Sequence, residues 1–126
     1  MTETTPVIGY VTLGVIDWQR SLAFFRDVIG FPLLFSDEGF QFARFDAGGV
    51  TFAVVGGAGE TRAARGDVHA GIAVCVPDVD AAHKALAAKG VRFTMPPSKQ
   101  PWGGYMALFA DPDGNIFYLD TLQGAH

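Results

Sequence analysis

The stretch Val11-Thr-Leu-Gly-Val-Ile-Asp17 is echoed by Ile72-Ala-Val-Cys-Val-Pro-Asp78, and the two aspartates lie 61 positions apart. Each stretch is apolar and rich in β-branched residues, which is typical of a strand. A helix-like segment follows each aspartate and ends at Gly30 or Gly90. Aspartate is a good helix N-cap and glycine a good helix stop, so the chain repeats one supersecondary unit twice.

Shorter β-rich segments complete each copy of this unit. They lie near residues 33–36, 40–45 and 50–55 in the first half, and near 91–95, 105–110 and 116–121 in the second. The pattern predicts an α+β fold of two tandem βαβββ modules, about 7–56 and 69–122, within one domain spanning residues 1–126.

Two connections in the second half have distinctive sequences. The proline- and glycine-rich stretch from Pro96 to Gly104 predicts a loop. Asp111-Pro-Asp-Gly-Asn115 predicts a turn between two strands, in which glycine and asparagine tolerate positive φ.

The composition limits the classes of partner and the cellular compartment that we expect. The net charge is −4 and the nine Lys and Arg are not clustered, so we expect neither a nucleic-acid nor a membrane partner. Cys75 is the only cysteine, and its apolar run predicts a small buried hydrophobe. The first residues resemble no secretion signal and no apolar run approaches a membrane span, so the sequence predicts a cytoplasmic protein.

Several features in their order along the chain resemble the vicinal oxygen chelate superfamily of glyoxalases, extradiol dioxygenases, fosfomycin-resistance enzymes and bleomycin-resistance proteins. They are the duplicated modules, Leu13-Gly-Val-x-Asp17, Phe24-Phe25-x3-Ile29-Gly30-Phe31, and Trp102-Gly103 ahead of the Asp111 turn. The resemblance covers nearly the whole chain. It implies curved mixed sheets around a cleft between the modules, and a homodimer.

Metal-dependent members of that superfamily present His or Glu side chains to a divalent ion from four strand positions. The resemblance puts these positions on Tyr10, Ala53, Gly71 and Tyr118. None of them is His, Asp, Glu or Cys, whereas such a site needs three or four N or O donors. We therefore expect no metal and no cofactor, as in the bleomycin-resistance branch. A shifted site using His69 and Asp120 is the alternative, and it lacks a third donor.

The predicted ligand site combines exposed polar and aromatic side chains with vacated volume. Strand alternation puts tyrosines on the faces opposite the helices, and the missing metal ligands leave space that admits a ring or is closed by a phenylalanine. A tryptophan on a glycine-flanked loop suits a lid, or alternatively an anchor of that loop. The predicted ligand-binding residues are Tyr10, Thr12, Phe42, Ala53, Gly71, Trp102, Tyr118 and Asp120.

The leading hypothesis is metal-free binding of a small aromatic or polycyclic molecule in the cleft between the modules, similar to drug-sequestering resistance proteins. A second hypothesis is a metal-free enzyme in which Tyr118 or Asp120 acts as acid or base. A third is a glyoxalase- or dioxygenase-like enzyme with a shifted divalent-metal site.

Overall fold

The repeat in the sequence corresponds to a repeat in structure. In a computed structural model, which describes residues 5–57 and 66–121, the chain divides into two compact units, Met1–Gly59 and Glu60–His126. The predicted bounds of the two modules, and their union into one domain, stay predictions. Residues 58–65, in the predicted connection, lie outside the described ranges, as does residue 122.

Over the described residues, each unit has the predicted order of one strand, one helix and three strands. The first contains β1 (Tyr10–Gly14), α1 (Trp18–Ala23), β2 (Leu33–Asp37), β3 (Phe42–Asp46) and β4 (Thr51–Val55). The second contains β5 (Val68–Val76), α2 (Val79–Ala88), β6 (Arg92–Lys99), β7 (Tyr105–Ala110) and β8 (Asn115–Thr121). Neither described helix is long and apolar enough to cross a membrane.

The two sheets share one topology. The strand order is β1-β4-β3-β2 in the first sheet and β5-β8-β7-β6 in the second. In each sheet the first and last strands of the unit pair in parallel, and the remaining pairs are antiparallel. Two four-stranded mixed sheets with two helices confirm the predicted α+β class.

The helices begin and end where the repeat predicts. The Asp17 carboxylate accepts a hydrogen bond from the backbone N–H of Arg20 at 3.2 Å, and Asp78 accepts one from Ala81 at 3.0 Å. After Ala23 the first helix widens into a π-helical segment, Phe24–Ile29, which ends at Gly30 with φ 95°. Asp17 and Asp78 therefore satisfy equivalent N-terminal donors in the two copies.

Each unit packs its helix against one sheet face through aromatic side chains. Phe25, Phe45 and Phe52 are at most 2% exposed in the first unit, and the Phe25 and Phe52 ring centroids lie 4.8 Å apart. In the second unit Phe109 and Phe117 are buried and stacked at 5.4 Å. The opposite sheet faces are therefore the ones on which ligand-binding side chains can lie.

One of the two connections predicted in the second unit needs correction. The predicted loop from Pro96 is wrong over its first half, because β6 runs to Lys99. β6 is an edge strand with register shifts, and such a strand tolerates prolines because not every N–H is needed for pairing. In the Asp111 turn only Gly114 adopts positive φ, at 85°, whereas Asn115 does not.

Candidate functional site

A hairpin tip between β6 and β7 carries Trp102. The backbone N–H of Gly103 donates to the Gln100 carbonyl at 2.9 Å, and the N–H of Gln100 donates to the Gly104 carbonyl at 2.7 Å. Proline at position 101 suits the second position of this turn, and Gly103 has φ 98°. Trp102 therefore projects from a short hydrogen-bonded turn, with 58% of its surface exposed, and not from a long loop.

Strand β8 supplies the polar wall of the site. Its Phe117 and Leu119 are buried, whereas Tyr118 and Asp120 alternate with them and are half-buried on the opposite face. The backbone of the next residue orients the Asp120 side chain, because the Thr121 N–H donates a hydrogen bond to Asp120 Oδ1 at 2.7 Å. The predicted shared face of Tyr118 and Asp120 is thus observed.

Strand β7 supplies a residue that the sequence reading missed. Antiparallel pairs join Ala107 with Leu119 and Leu108 with Tyr118, so the next pair brings Met106 beside Asp120. Met106 is only 8% exposed. Met106 could have been found from the Asp111 turn. Once that turn is located, the strands on either side of it pair in antiparallel register, and this pairing determines which residues lie opposite each other.

Four side chains of the second unit line one open cavity. A volume of about 270 Å³ is lined by Trp102, Met106, Tyr118 and Asp120. It is just below the range of roughly 300–1,000 Å³ typical of pockets for drug-sized ligands. Among residues 5–57 and 66–121, no hydrogen-bond partner is found for the Tyr118 hydroxyl or the Trp102 indole N–H. The cavity therefore offers two aromatic surfaces, a thioether, a carboxylate and two polar groups.

Strand β5 borders the site with two further side chains. The His69 ring lies 6.3 Å from the Tyr118 ring, and Cys75 pairs with Asp120 in the parallel register. The prediction that Cys75 is buried is wrong: it is exposed, because it lies on the face opposite half-buried Val74 and Val76. Partial burial, and next the charge of Asp120, raise the pKa of the Cys75 thiol above 9.0. The thiol is therefore neutral at pH 7 and a poor nucleophile.

The turn joining β7 to β8 is held by a buried carboxylate. Asp111 Oδ1 accepts hydrogen bonds from the N–H groups of Asp113 at 3.0 Å and Asn115 at 2.8 Å. Its Oδ2 accepts one from the Asn115 side-chain amide at 2.9 Å. Burial raises the pKa of Asp111 above 3.8, against the lowering effect of these hydrogen bonds. Asn115 thus serves as a hydrogen-bonding partner in the turn and not as the residue with positive φ.

Three of the predicted ligand-binding residues, Trp102, Tyr118 and Asp120, are brought together by this cavity. Gly71 lies on β5 with φ 72°, at a register irregularity between His69 and Ala73. A Cβ at position 71 would meet open space, but a residue other than glycine would be strained at this positive φ.

The other predicted residues belong to the first unit. Tyr10 and Thr12 are exposed on β1, and Ala53 is 1% exposed on β4. The Phe42 ring is 6.3 Å from that of Phe35 and 5.7 Å from the Arg44 guanidinium. A cleft between modules, and a role for these residues in it, stay predictions.

The chemistry of these positions does not fit the divalent metal that the resemblance implies. Ala53 and Gly71 offer no side-chain donor, and Tyr10 and Tyr118 offer only phenols. Across the described ranges, no three or more His, Cys, Asp or Glu side chains are grouped closely enough to hold an ion. His69 and Asp120, the alternative pair, therefore have no third donor of these types within the described residues.

Solved structures from several bacteria share this fold. A member of the glyoxalase/bleomycin resistance protein/dioxygenase superfamily from Sphaerobacter thermophilus is 31% identical, with a TM-score of 0.74 over 93% of this chain and 98% of that one. TnmS3 from Streptomyces, an antibiotic binding protein, is 24% identical, with a TM-score of 0.74 over 95% and 98%. A lactoylglutathione lyase from Agrobacterium tumefaciens is 19% identical, with a TM-score of 0.74 over 95% and 96%. The last two show the fold alone.

The sequence agrees with this structural likeness over almost its full length. The profile of one protein family matches residues 7–119, which include both units from before β1 into β8. By this match, the chain belongs to the Glyoxalase/Bleomycin resistance protein/Dioxygenase superfamily.

Proposed function

We propose that the protein binds a small aromatic molecule, without metal, in the cavity of its second unit. The observation that carries this proposal is that Trp102 and Tyr118 line one cavity together with buried Met106. A planar ring in contact with both aromatic side chains gains about 0.5–1.5 kcal/mol per contact beyond the burial of its surface. The Tyr118 hydroxyl and the Trp102 indole N–H supply the few polar contacts that orient a ligand in an apolar pocket.

The volume of the cavity limits the size of the ligand that it can hold. About 270 Å³ accommodates a one- or two-ring aromatic group, and a larger polycyclic ligand would extend beyond it. The fold shared with TnmS3, an antibiotic binding protein, supports binding as the function. In this proposal the protein sequesters its ligand as drug-binding members of the superfamily do.

A second candidate function is catalysis without metal. It is favoured by the placement of a carboxylate, Asp120, and a phenol, Tyr118, two residues apart on one face of β8 and in one cavity. A group within hydrogen-bonding reach of a bound molecule can transfer a proton to or from it. The shared fold of the Agrobacterium lactoylglutathione lyase supports an enzyme equally. Recovery of the bound molecule unchanged after long incubation favours binding, and a new product favours catalysis.

The binding proposal can be tested with 1-naphthylmethanol, a neutral two-ring probe. The chain has two tryptophans, so a ¹⁵N-labelled sample gives two indole N–H resonances. The Trp102 resonance should shift on titration, whereas that of Trp18, in α1 of the first unit, should stay in place. For a probe of this size we expect a dissociation constant on the order of 0.1–1 mM.

Variants assign the signal and test the contact. Trp18→Phe removes one resonance and should leave the titration intact, while Trp102→Ala should weaken binding about tenfold or more, measured by calorimetry. A shift confined to Trp18, or unchanged affinity in Trp102→Ala, would contradict the assignment of this cavity as the ligand site.

We also propose that the protein forms a homodimer. Large apolar side chains in the first unit are strongly exposed, among them Val7 at 86%, Ile8 at 77% and Phe40 at 82%. Exposed apolar groups of this size are typical of surfaces that a partner covers. The residues lining the cavity all come from one unit of one chain, so ligand binding does not depend on this proposal.

A further inference from the structure

Arg44 lies on the face of the first sheet that points away from its helix. On β3 it alternates with Ala43 and Phe45, which are fully buried, whereas Arg44 itself is exposed. The strand register places it opposite Phe35 of β2 and opposite Ala53 of β4. Because residues directly opposite each other share one face of a sheet, the side chains of Arg44 and Phe35 lie next to each other.

Two phenylalanine rings flank the Arg44 guanidinium. Its central carbon is 5.4 Å from the ring centroid of Phe35 and 5.7 Å from that of Phe42, and the two ring centroids are 6.3 Å apart. Both distances are within the roughly 6 Å at which an aromatic face attracts a cation. The rings therefore preorganise the guanidinium, so less conformational entropy is lost when its N–H groups bind a ligand.

The donors of this guanidinium are not taken up by a carboxylate. Within the portion of the chain that the structure describes, no acidic side chain forms an ion pair with Arg44. Asp37 and Asp46, which end β2 and β3, instead accept hydrogen bonds from turn N–H groups, those of Gly39 at 2.9 Å and Gly48 at 3.1 Å. A guanidinium presents its donors in a planar fork that matches the two oxygens of a carboxylate.

We propose that Phe35, Phe42 and Arg44 form a binding site for aromatic carboxylates on the first unit. The ligand carboxylate accepts two parallel hydrogen bonds from the Arg44 guanidinium, and its ring packs against exposed Phe35. The ring is needed because an exposed ion pair alone contributes little, whereas ring contact adds burial of apolar surface. All three residues belong to the first unit, so this inference does not depend on the function proposed for the second.

Three probes test the charge and the ring separately. They are phenylacetate, phenylacetamide, which replaces the carboxylate by a neutral amide of similar shape, and acetate, which lacks the ring. Binding is followed at pH 7 in ¹⁵N-labelled protein through the backbone N–H resonances of Phe35 and Phe42. We expect phenylacetate to bind with a dissociation constant on the order of 1–10 mM, about fivefold more tightly than phenylacetamide or acetate.

Substitution distinguishes contact with Arg44 from general attraction of an anion. Arg44→Gln should reduce the preference for phenylacetate over phenylacetamide to less than about twofold. Arg26→Gln is the matched control, because it changes the net charge equally at another exposed arginine of the first unit, and it should keep the preference. Circular dichroism establishes that both variants are folded.

Several results would overturn this inference. They are equal affinity of the wild-type protein for phenylacetate and either other probe, retention of the preference in Arg44→Gln, and its loss in Arg26→Gln. A shift of the Trp102 indole resonance without shifts at Phe35 and Phe42 would also overturn it, and would leave the proposed function intact. The wild-type comparisons alone decide the matter if Arg44→Gln does not fold.

Discussion

Replacement of Asp111 by alanine tests how far one buried carboxylate holds the strands that carry the candidate ligand site. Asp111 is 4% exposed and lies between β7 and β8, which present Met106, Tyr118 and Asp120. Asp111→Ala removes three hydrogen-bond acceptor contacts and keeps the backbone pair between residues 111 and 115. The substitution therefore removes the side-chain hydrogen bonds of the turn and leaves its backbone hydrogen bonds in place.

The expected cost follows from the burial of these contacts. The two hydrogen bonds from Asn115 are buried and contribute roughly 1 kcal/mol each, and the part-buried bond from Asp113 contributes about half as much. Removal of a carboxylate that burial disfavours offsets some of this loss. We expect the free energy of unfolding to fall by about 2 kcal/mol.

Urea unfolding, monitored by far-ultraviolet circular dichroism, measures this loss, provided that the slope of the unfolding free energy against urea concentration is the same in both proteins. Asp37→Ala is the matched control, because Asp37 Oδ1 also accepts two backbone N–H bonds in a turn, but exposed ones. Water can accept hydrogen bonds from the exposed N–H groups that lose Asp37. We therefore expect the free energy of unfolding of that variant to fall by less than about 1 kcal/mol. Equal losses in the two variants would refute the reasoning that burial sets the cost.

The raised pKa of Asp111 predicts the sign of a pH effect. The stability that its protonated carboxyl contributes is complete below pH 3.8 and is lost as pH rises through the higher pKa of the folded state. Asp111→Asn cannot ionise, so its unfolding free energy relative to wild type should increase across that window. A relative free energy that decreases there would show that the hydrogen bonds, and not burial, dominate the pKa.

Three further predictions concern the intact protein and its site. Protein purified without chelator should contain no stoichiometric Zn, Ni, Mn or Fe by elemental analysis, since the donors at the superfamily's ligand positions do not suit such ions; one equivalent per chain would favour the shifted site of His69 and Asp120. Sedimentation at micromolar concentration should give a homodimer, and a compact 13.4 kDa monomer would contradict that proposal. Tyr118→Phe keeps the ring and removes the hydroxyl, so binding of 1-naphthylmethanol should weaken by about 0.5–1.5 kcal/mol; unchanged affinity in calorimetry would exclude that hydrogen bond.

Much of the site on β8 could be predicted from the sequence because strand alternation is a local rule. Tyr118 and Asp120 are two residues apart, and their common face follows from the pleat of one strand. The same rule could not predict Met106, because its place beside Asp120 depends on pairing between two strands. Trp102 lines the cavity, but the long loop predicted around it is wrong: cross-strand pairing extends β6 into a proline-containing stretch and shortens the loop to a turn.

By itself, the sequence determined the repeat, the α+β class, the helix caps at Asp17 and Asp78, and the residues unsuited to metal binding, because these depend on contacts within a few residues or on residue type alone. The tertiary structure decided which of the predicted side chains share a cavity, and it exposed Cys75 on the face that carries Asp120. Strand register and hairpin closure join residues far apart in the chain, and no local preference specifies which side chains these pairings bring together.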